Sequence, residues 1–396
     1  MMVRFGGRFL PKLGPQRCGP FFFQAKGLAP LPALPGTCQP PLESKIAIPG
    51  GFGDEAAGAM RPAGALWGLA LMGLAGAWGP PCPAAEFKPA IVYDLGGKFD
   101  RSFNEAAYTG AERFRRETGI PYLEFEITNE TQREQALRNL ARRGATLMIA
   151  VGFDQRSAVD AAARDFPDAH FVLIDEAATQ AANVQSVKFR EEEGSFLVGM
   201  LAAMTSKSRR IGFIGGMDIP LIHKFACGYL QGARQVDRAI SYVENMTGTT
   251  PTAWNDPARG AELARTQFDR GVDVVFAAAG GTNLGVLQAA KDAGKLAIGA
   301  DADQNGIQPG SVLTSMVKRV DVAVYEALKA AQSGRFRAGL STLGLKEGGV
   351  DWALDSYNRA LVSAESEARI DQTKAAIAAG ALAVADYTKT GSCPVQ

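Results

Sequence analysis

The run DLGGKFDRSFNE, residues 94–105, follows the apolar stretch PAIVY and offers Asp94, Asp100, Ser102, Phe103 and Asn104 close together. Carboxylates accept hydrogen bonds, amides do both, and an aromatic ring at a loop can stack on a flat ligand. The paired glycines allow a backbone that a side chain would block. Ser102 and Glu105 have capping-box spacing, which predicts a helix over SFNEAAYTGAERFRRE. The segment therefore reads as a strand-loop-helix corner, the place where open α/β sheets bind ligands. Further residues of this kind follow other apolar runs. GFDQRS carries Phe153, Asp154 and Gln155, and TAWNDP carries Trp254. AAAGGTNLG carries Gly280, IGADADQ carries Asp301 and Asp303, and VLTSMVKRVD carries Lys318.

Reaction machinery is missing from this set. No GxSxG elbow, P-loop, HExxH or CxxC occurs, and the only histidines are His170 and His223. A nucleophile with its base, or a metal cluster, needs more than that. Asp301 and Asp303 are two apart at a strand end, so alternation points them to opposite sides. The expectation is a binding protein, not an enzyme, without metal or cofactor. Phe103 and Trp254 would stack on a planar ring from two sides, and Asp94, Asp301 and Lys318 would hold vicinal hydroxyls. Taken singly, each has a plainer use: core filler for the rings, caps or turns for the aspartates, a solvated ammonium for the lysine.

Strands and helices alternate along the chain, and this positions the set. Apolar runs PAIVYD, YLEFEI, ATLMIAVG, HFVLIDE and NVQSVKF suit buried strands, with helix-period stretches between the first four. The cycle restarts near residues 206–210 with RIGFIGG, SYVENMTG, VDVVFAAAG and KLAIGAD. Such alternation predicts α/β lobes built on doubly wound parallel sheets. The first lobe is expected over residues 86–206 plus about 315–342, and the second over 207–314 plus about 343–396. A chain that crosses back in this way makes a multi-strand hinge, so the lobes can close on a ligand.

The 42 basic and 41 acidic residues nearly cancel, which leaves no field for nucleic acid. Residues 1–59 are Gly- and Pro-rich without periodicity and read as a non-native or disordered extension. From Met60, a basic start, the apolar run AGALWGLALMGLAGAW and small residues before Glu86 describe a signal peptide over 60–85. Cleavage is expected after Ala84 or Ala85, and the product is expected in the periplasm. Gly79-Pro80-Pro81 before Cys82 matches a lipid-attachment signal poorly, so anchoring is not expected. The exported chain would keep Cys227 and Cys393, which in an oxidising compartment pair or remain as a buried thiol and a frayed end.

Five blocks resemble the basic membrane protein family, substrate-binding proteins of ABC transporters that include purine-nucleoside binders. They are DLGGKFDRSFNEAAYTG, EEEGSFLVGMLAAM, IGFIGGMDIPLIHKFACGYLQGA, TAWNDPARG and IGADADQNGIQPGSVLTSMVKRVDVAVY. The resemblance implies a type I periplasmic-binding-protein fold, a nucleoside-like ligand, a membrane permease as partner and a monomer. It puts the base between Phe103 and Trp254 and the sugar on Asp301 and Lys318, with Asp94, Asn104 and Gly280 in support. The family's base-edge carboxylate falls on Asp154 or Gln155. A receptor-coupled sensor, or an importer component for another small ligand, is the alternative.

Overall fold

The computed structural model describes residues 86–395. The first sheet begins with β1 (Pro89–Tyr93), α1 (Phe103–Thr118), β2 (Leu123–Glu126), α2 (Gln132–Arg142) and β3 (Leu147–Val151). It continues through α3 (Arg156–Asp165), β4 (His170–Ile174) and β5 (Val184–Phe189). After α4 (Glu191–Thr205), the second sheet repeats the pattern with β6 (Arg210–Met217), α5 (Pro220–Val236), β7 (Ser241–Gly248) and α6 (Pro257–Asp269). Then come β8 (Val274–Ala278), α7 (Asn283–Asp292), β9 (Leu296–Asp301) and β10 (Val312–Lys318). The chain returns to the first lobe as α8 (Val320–Gln332) and β11 (Gly339–Leu343). It ends in the second with β12 (Val350–Trp352), α9 (Ala364–Ala378) and α10 (Tyr387–Thr390).

Strand order is β11-β5-β4-β3-β1-β2 in one sheet and β12-β10-β9-β8-β6-β7 in the other. Every pairing is parallel except β10 with β12. Strands β1, β3 and β8 are buried along their whole length, as parallel strands covered on both faces must be. Helices α2 and α3 cover one face of the first sheet around Leu137, Met148 and Phe171. Helices α6 and α7 cover one face of the second around Phe268 and Leu287. The remaining faces share a cluster that runs from Phe114 through Phe196 and Phe213 to Trp352.

Helix α4 belongs to the second lobe, and this moves the boundary drawn at residue 206 back to about 190. Close packing against α5 is the reason. A Cβ at Gly228 would lie 2.4 Å from the Glu192 carbonyl oxygen, and added Cβ atoms at Gly199 and Gly232 would clash with Tyr229 and Phe196 backbone. Only glycine lets the two helices approach this closely. The second crossing falls at Arg319, after β10, and the third follows β11 near Gly344. Three crossings thus join the lobes. Cys227 on α5 and Cys393 in the tail are joined by a disulfide, with Cα atoms 5.5 Å apart.

Candidate functional site

The corner after β1 is organised by Asp100. Its carboxylate accepts backbone N–H groups from Ser102 at 2.8 Å, Asn104 at 2.9 Å and Glu105 at 3.0 Å. It therefore caps α1, a task the sequence assigned to Ser102. Two carboxylate oxygens serve three donors where one hydroxyl serves one. Glu105 does reach back, accepting the Arg101 N–H at 3.0 Å. Ser102 is left free to donate to Asp301 Oδ2 of the other lobe at 2.7 Å. Asn104 ties the strand end to the helix start, accepting the Asp94 N–H at 3.1 Å and donating to the Asp94 carbonyl at 3.3 Å.

Trp254 closes the short turn Pro251–Trp254 on the opposite lobe. Its ring packs against β6, where a Cβ at Gly216 would clash with Cζ3, Cε3 and Cη2. Thr282 pins the turn, donating to the Ala253 carbonyl at 2.9 Å and accepting the Asp256 N–H at 2.7 Å. Gly280, at φ 59°, passes the Trp254 carbonyl at a distance that a side chain would crowd. Across the cleft, Phe153 of the first lobe meets Trp254 edge-on, with centroids 6.4 Å apart.

One end of the cleft is charged. Lys318, 2% exposed, donates to Asp175 Oδ2 at 2.5 Å and lies 3.1 Å from Glu191 Oε1. Its ammonium stands 5.0 Å from the Phe103 ring centre, within cation–π range. Glu191 also pairs with Lys224 at 2.7 Å, and Glu192 lies 3.3 Å from that lysine. Burial works against the Lys318 charge, but Asp175, Glu191 and Asp301 outweigh it and raise the pKa. Burial raises Asp301 too, against the pull of Lys318 and the Ser102 hydrogen bond. At the other end, burial lifts Asp94 to about 6 despite Arg133, whose guanidinium lies 3.2 Å away.

The cleft is lined by Asp94, Phe103, Asn104, Trp254, Gly280, Asp301 and Lys318 together, and holds about 580 Å³ of empty space with its open mouth included. Leu221, Ile222 and Phe225 on α5 add apolar wall. Asp154 and Gln155 do not line it. The Asp154 carboxylate instead pairs with Arg133 at 3.2 Å. Gln155 is fully buried, donating to the Val92 and Val151 carbonyls at 3.0 and 2.8 Å, and so braces β1 against β3. The sequence reading passed over Asp175, which lines the cleft just past β4. Its signal was the same as Asp94's, an aspartate directly after an apolar run. Arg133 gave no signal, because its partners stand 39 and 21 positions away. Among the described residues, no group of three or more His, Cys, Asp or Glu side chains is placed to hold a metal.

Fold and site define a two-lobed binding protein whose cleft collects strand ends from both sheets. The family model described as ABC transporter substrate-binding protein, PnrA-like, matches residues 87–382, and the chain belongs to that family. Its members bind substrates and do not transform them. The ABC transporter nucleoside-binding protein BmpA of Lactococcus lactis is 32% identical over 308 residues, covering 72% of this chain and 87% of that protein. An uncharacterized lipoprotein of Pyrococcus abyssi is 35% identical over 288 residues, covering 70% of this chain and 71% of that protein. The crystal structure of an ABC transporter solute-binding protein from Aeropyrum pernix matches with a TM-score of 0.71 at 29% identity, over 76% of this chain and 93% of that one. The fold is thus that of periplasmic solute-binding proteins. The lipoprotein name of the Pyrococcus relative runs against the expectation of an unanchored protein. Cys82 and the signal segment lie outside the described residues.

Proposed function

We propose that the protein captures a nucleoside, with a purine as the preferred base, and passes it to the permease of an ABC importer. The base lies between Phe103 and Trp254, and the ribose hydroxyls meet Asp301 and Lys318. The observation that carries this reading is one cleft with an aromatic ring on each lobe and a buried ammonium between carboxylates at one end. With Asp154 and Gln155 behind the wall, Asp94 takes the base edge, and Asn104 and Gly280 shape the loops around it. Closure brings the halves of the site together, so affinity is linked to the closed state that a permease would recognise. The nucleoside-binding relative supports the ligand class.

The protein acts outside the cytoplasmic membrane as a monomer, exported through the segment before Glu86. Mass spectrometry of the exported N-terminus separates a lipid on Cys82 from cleavage after Ala84 or Ala85. The ligand is tested by thermal unfolding against nucleosides, free bases, pentoses and riboflavin. A nucleoside at 100 times its dissociation constant stabilises by about 2.7 kcal/mol. A purine nucleoside that raises the midpoint while its free base does not supports the reading. A panel without any shift removes it.

A further inference from the structure

Asp94 follows β1 into the cleft wall, and its two carboxylate oxygens have different surroundings. Oδ1 accepts the Leu95 N–H at 2.9 Å and the Arg133 guanidinium at 3.2 Å. Oδ2 has no hydrogen-bond partner among the described residues and lies against Gly152, which also lines the cleft. A Cβ at Gly152, at φ 116°, would clash with that oxygen, so only glycine leaves it room there. The carboxylate is thus fixed through one oxygen and free at the other.

Arg133 is an odd residue to stand behind it. It is the second residue of α2 and 9% exposed, so its charge sits at the positive end of a helix dipole and largely out of water. Its Nε is buried without a partner. One nitrogen, Nη2, serves both Asp94 and Asp154 at 3.2 Å, which leaves one carboxylate in excess. A well-packed apolar side chain would hold α2 to the sheet at least as well. What the guanidinium adds is control over Asp94. Burial pushes the Asp94 carboxyl up to about 6, Arg133 pulls it down, and Asp154 of the turn after β3 pushes it up. Asn104 of α1 meets only its backbone and carries no charge.

We propose that Arg133 is a positioning residue for base recognition: it holds Asp94 as a carboxylate with Oδ2 turned to the cleft, so the site selects a base edge that donates an N–H. Inosine has such an edge, with one base N–H, at N1. Purine riboside has the same sugar and ring system but no base N–H, and its N1 accepts. A protonated Asp94 donates to that N1 instead, so loss of Arg133 exchanges one preference for the other. This rests on the nucleoside reading for the identity of the base, and the test separates the two.

Carbon-13 NMR of the side-chain carboxyls comes first, on the ligand-free protein, with the Asp94 signal assigned by its loss in Asp94→Asn. Arg133→Gln moves the Asp94 titration to higher pH, and Asp154→Asn moves it to lower pH. Both substitutions break the Arg133–Asp154 pair, so an arginine that is merely structural gives shifts of one sign or none, and either result overturns the proposal. If Arg133→Gln does not fold, the sign of the Asp154→Asn shift decides. Calorimetric titration with inosine and purine riboside follows, between about pH 5 and about 7.5. The ribose is common to both, so the titration of Asp301 cancels in the ratio of the two affinities. In the parent at the upper limit inosine binds about tenfold or more tighter, the scale of one hydrogen bond to a charged group. That ratio falls as pH drops through the Asp94 value. In Arg133→Gln it is already low at the upper limit, and in Asp154→Asn it stays high further down. The same ratio in all three proteins overturns the proposal. If the parent binds neither nucleoside, the nucleoside reading falls, and the carboxyl titration alone decides what Arg133 does.

Discussion

Trp254 gets its position from what is absent beneath it. The ring occupies the space that a side chain at residue 216 would fill. Trp254→Ala is expected to weaken nucleoside binding by ~1–3 kcal/mol, the range of base–aromatic stacking. Calorimetric titration checks this, and an unchanged dissociation constant would take the ring out of the site. Gly216→Ala should weaken binding as well while leaving the tryptophan in place, because its methyl group would lift the ring off β6. Quenching of Trp254 fluorescence by ligand, weakened in the Gly216 variant, reports the displacement. At this scale the sequence was partly legible. Phe103, Trp254, Asp301 and Lys318 share a cleft because each lies at or beyond the C-terminal end of a strand, and that placement shows in the pattern of apolar runs. Arg133 pairs equally with Asp94 and Asp154, yet only Asp94 lines the cleft. These are tertiary contacts, and no local pattern carries them. Asp175 was readable in principle, but an aspartate ending HFVLIDE looks the same as an ordinary turn residue.

Among the elements, the start of α1 divides two tasks between two residues. Asp100 holds the helix end, and Ser102 reaches the other lobe. Asp100→Ala should lower stability by about 1 kcal/mol, the usual effect of losing a cap, and should weaken binding because Phe103 sits in the same turn. Ser102→Ala should change stability less and still weaken binding, since its hydrogen bond joins the two lobes and does not hold the helix end. Denaturant unfolding and titration of both variants separate the roles. Equal stability losses in the two would contradict the division. The capping-box spacing pointed to the right helix start and the wrong cap, because Asp100 with its two acceptors competes better than a hydroxyl. The placement of α4 was hidden for a different reason. The glycines at 199, 228 and 232 mark a close helix contact, but a glycine in a helix does not name its partner.

On the scale of the whole molecule, the buried carboxylates give closure a dependence on pH. Burial raises Asp94 and Asp100 to about 6 and Glu192 to about 7, and raises Asp175 and Asp301 as well. A carboxyl with a raised folded pKa takes up its proton in the native state first. Stability from these groups therefore increases as pH falls through their folded pKa values toward the unfolded ones, and is lowest above them. His170, lowered by burial, opposes this. The ligand-free midpoint should rise as pH drops from about 8 to about 5. In the proposed site Asp301, raised by burial, accepts sugar hydroxyls only when ionised, so the shift given by ligand should shrink as pH falls. A midpoint that falls, or a ligand shift that stays constant, would contradict the account. The two-lobed architecture behind this behaviour was visible in the strand-helix alternation and its restart, while the chain crossings were visible only to within an element.

The central claim is that one molecule must fill both the aromatic and the charged ends of the cleft. Calorimetric titration of the protein with inosine, hypoxanthine and ribose tests it most directly. The account predicts that inosine binds and that each fragment binds more weakly by about a hundredfold or more, because neither engages both lobes. Hypoxanthine binding as tightly as inosine, or inosine failing to bind at all, would contradict it.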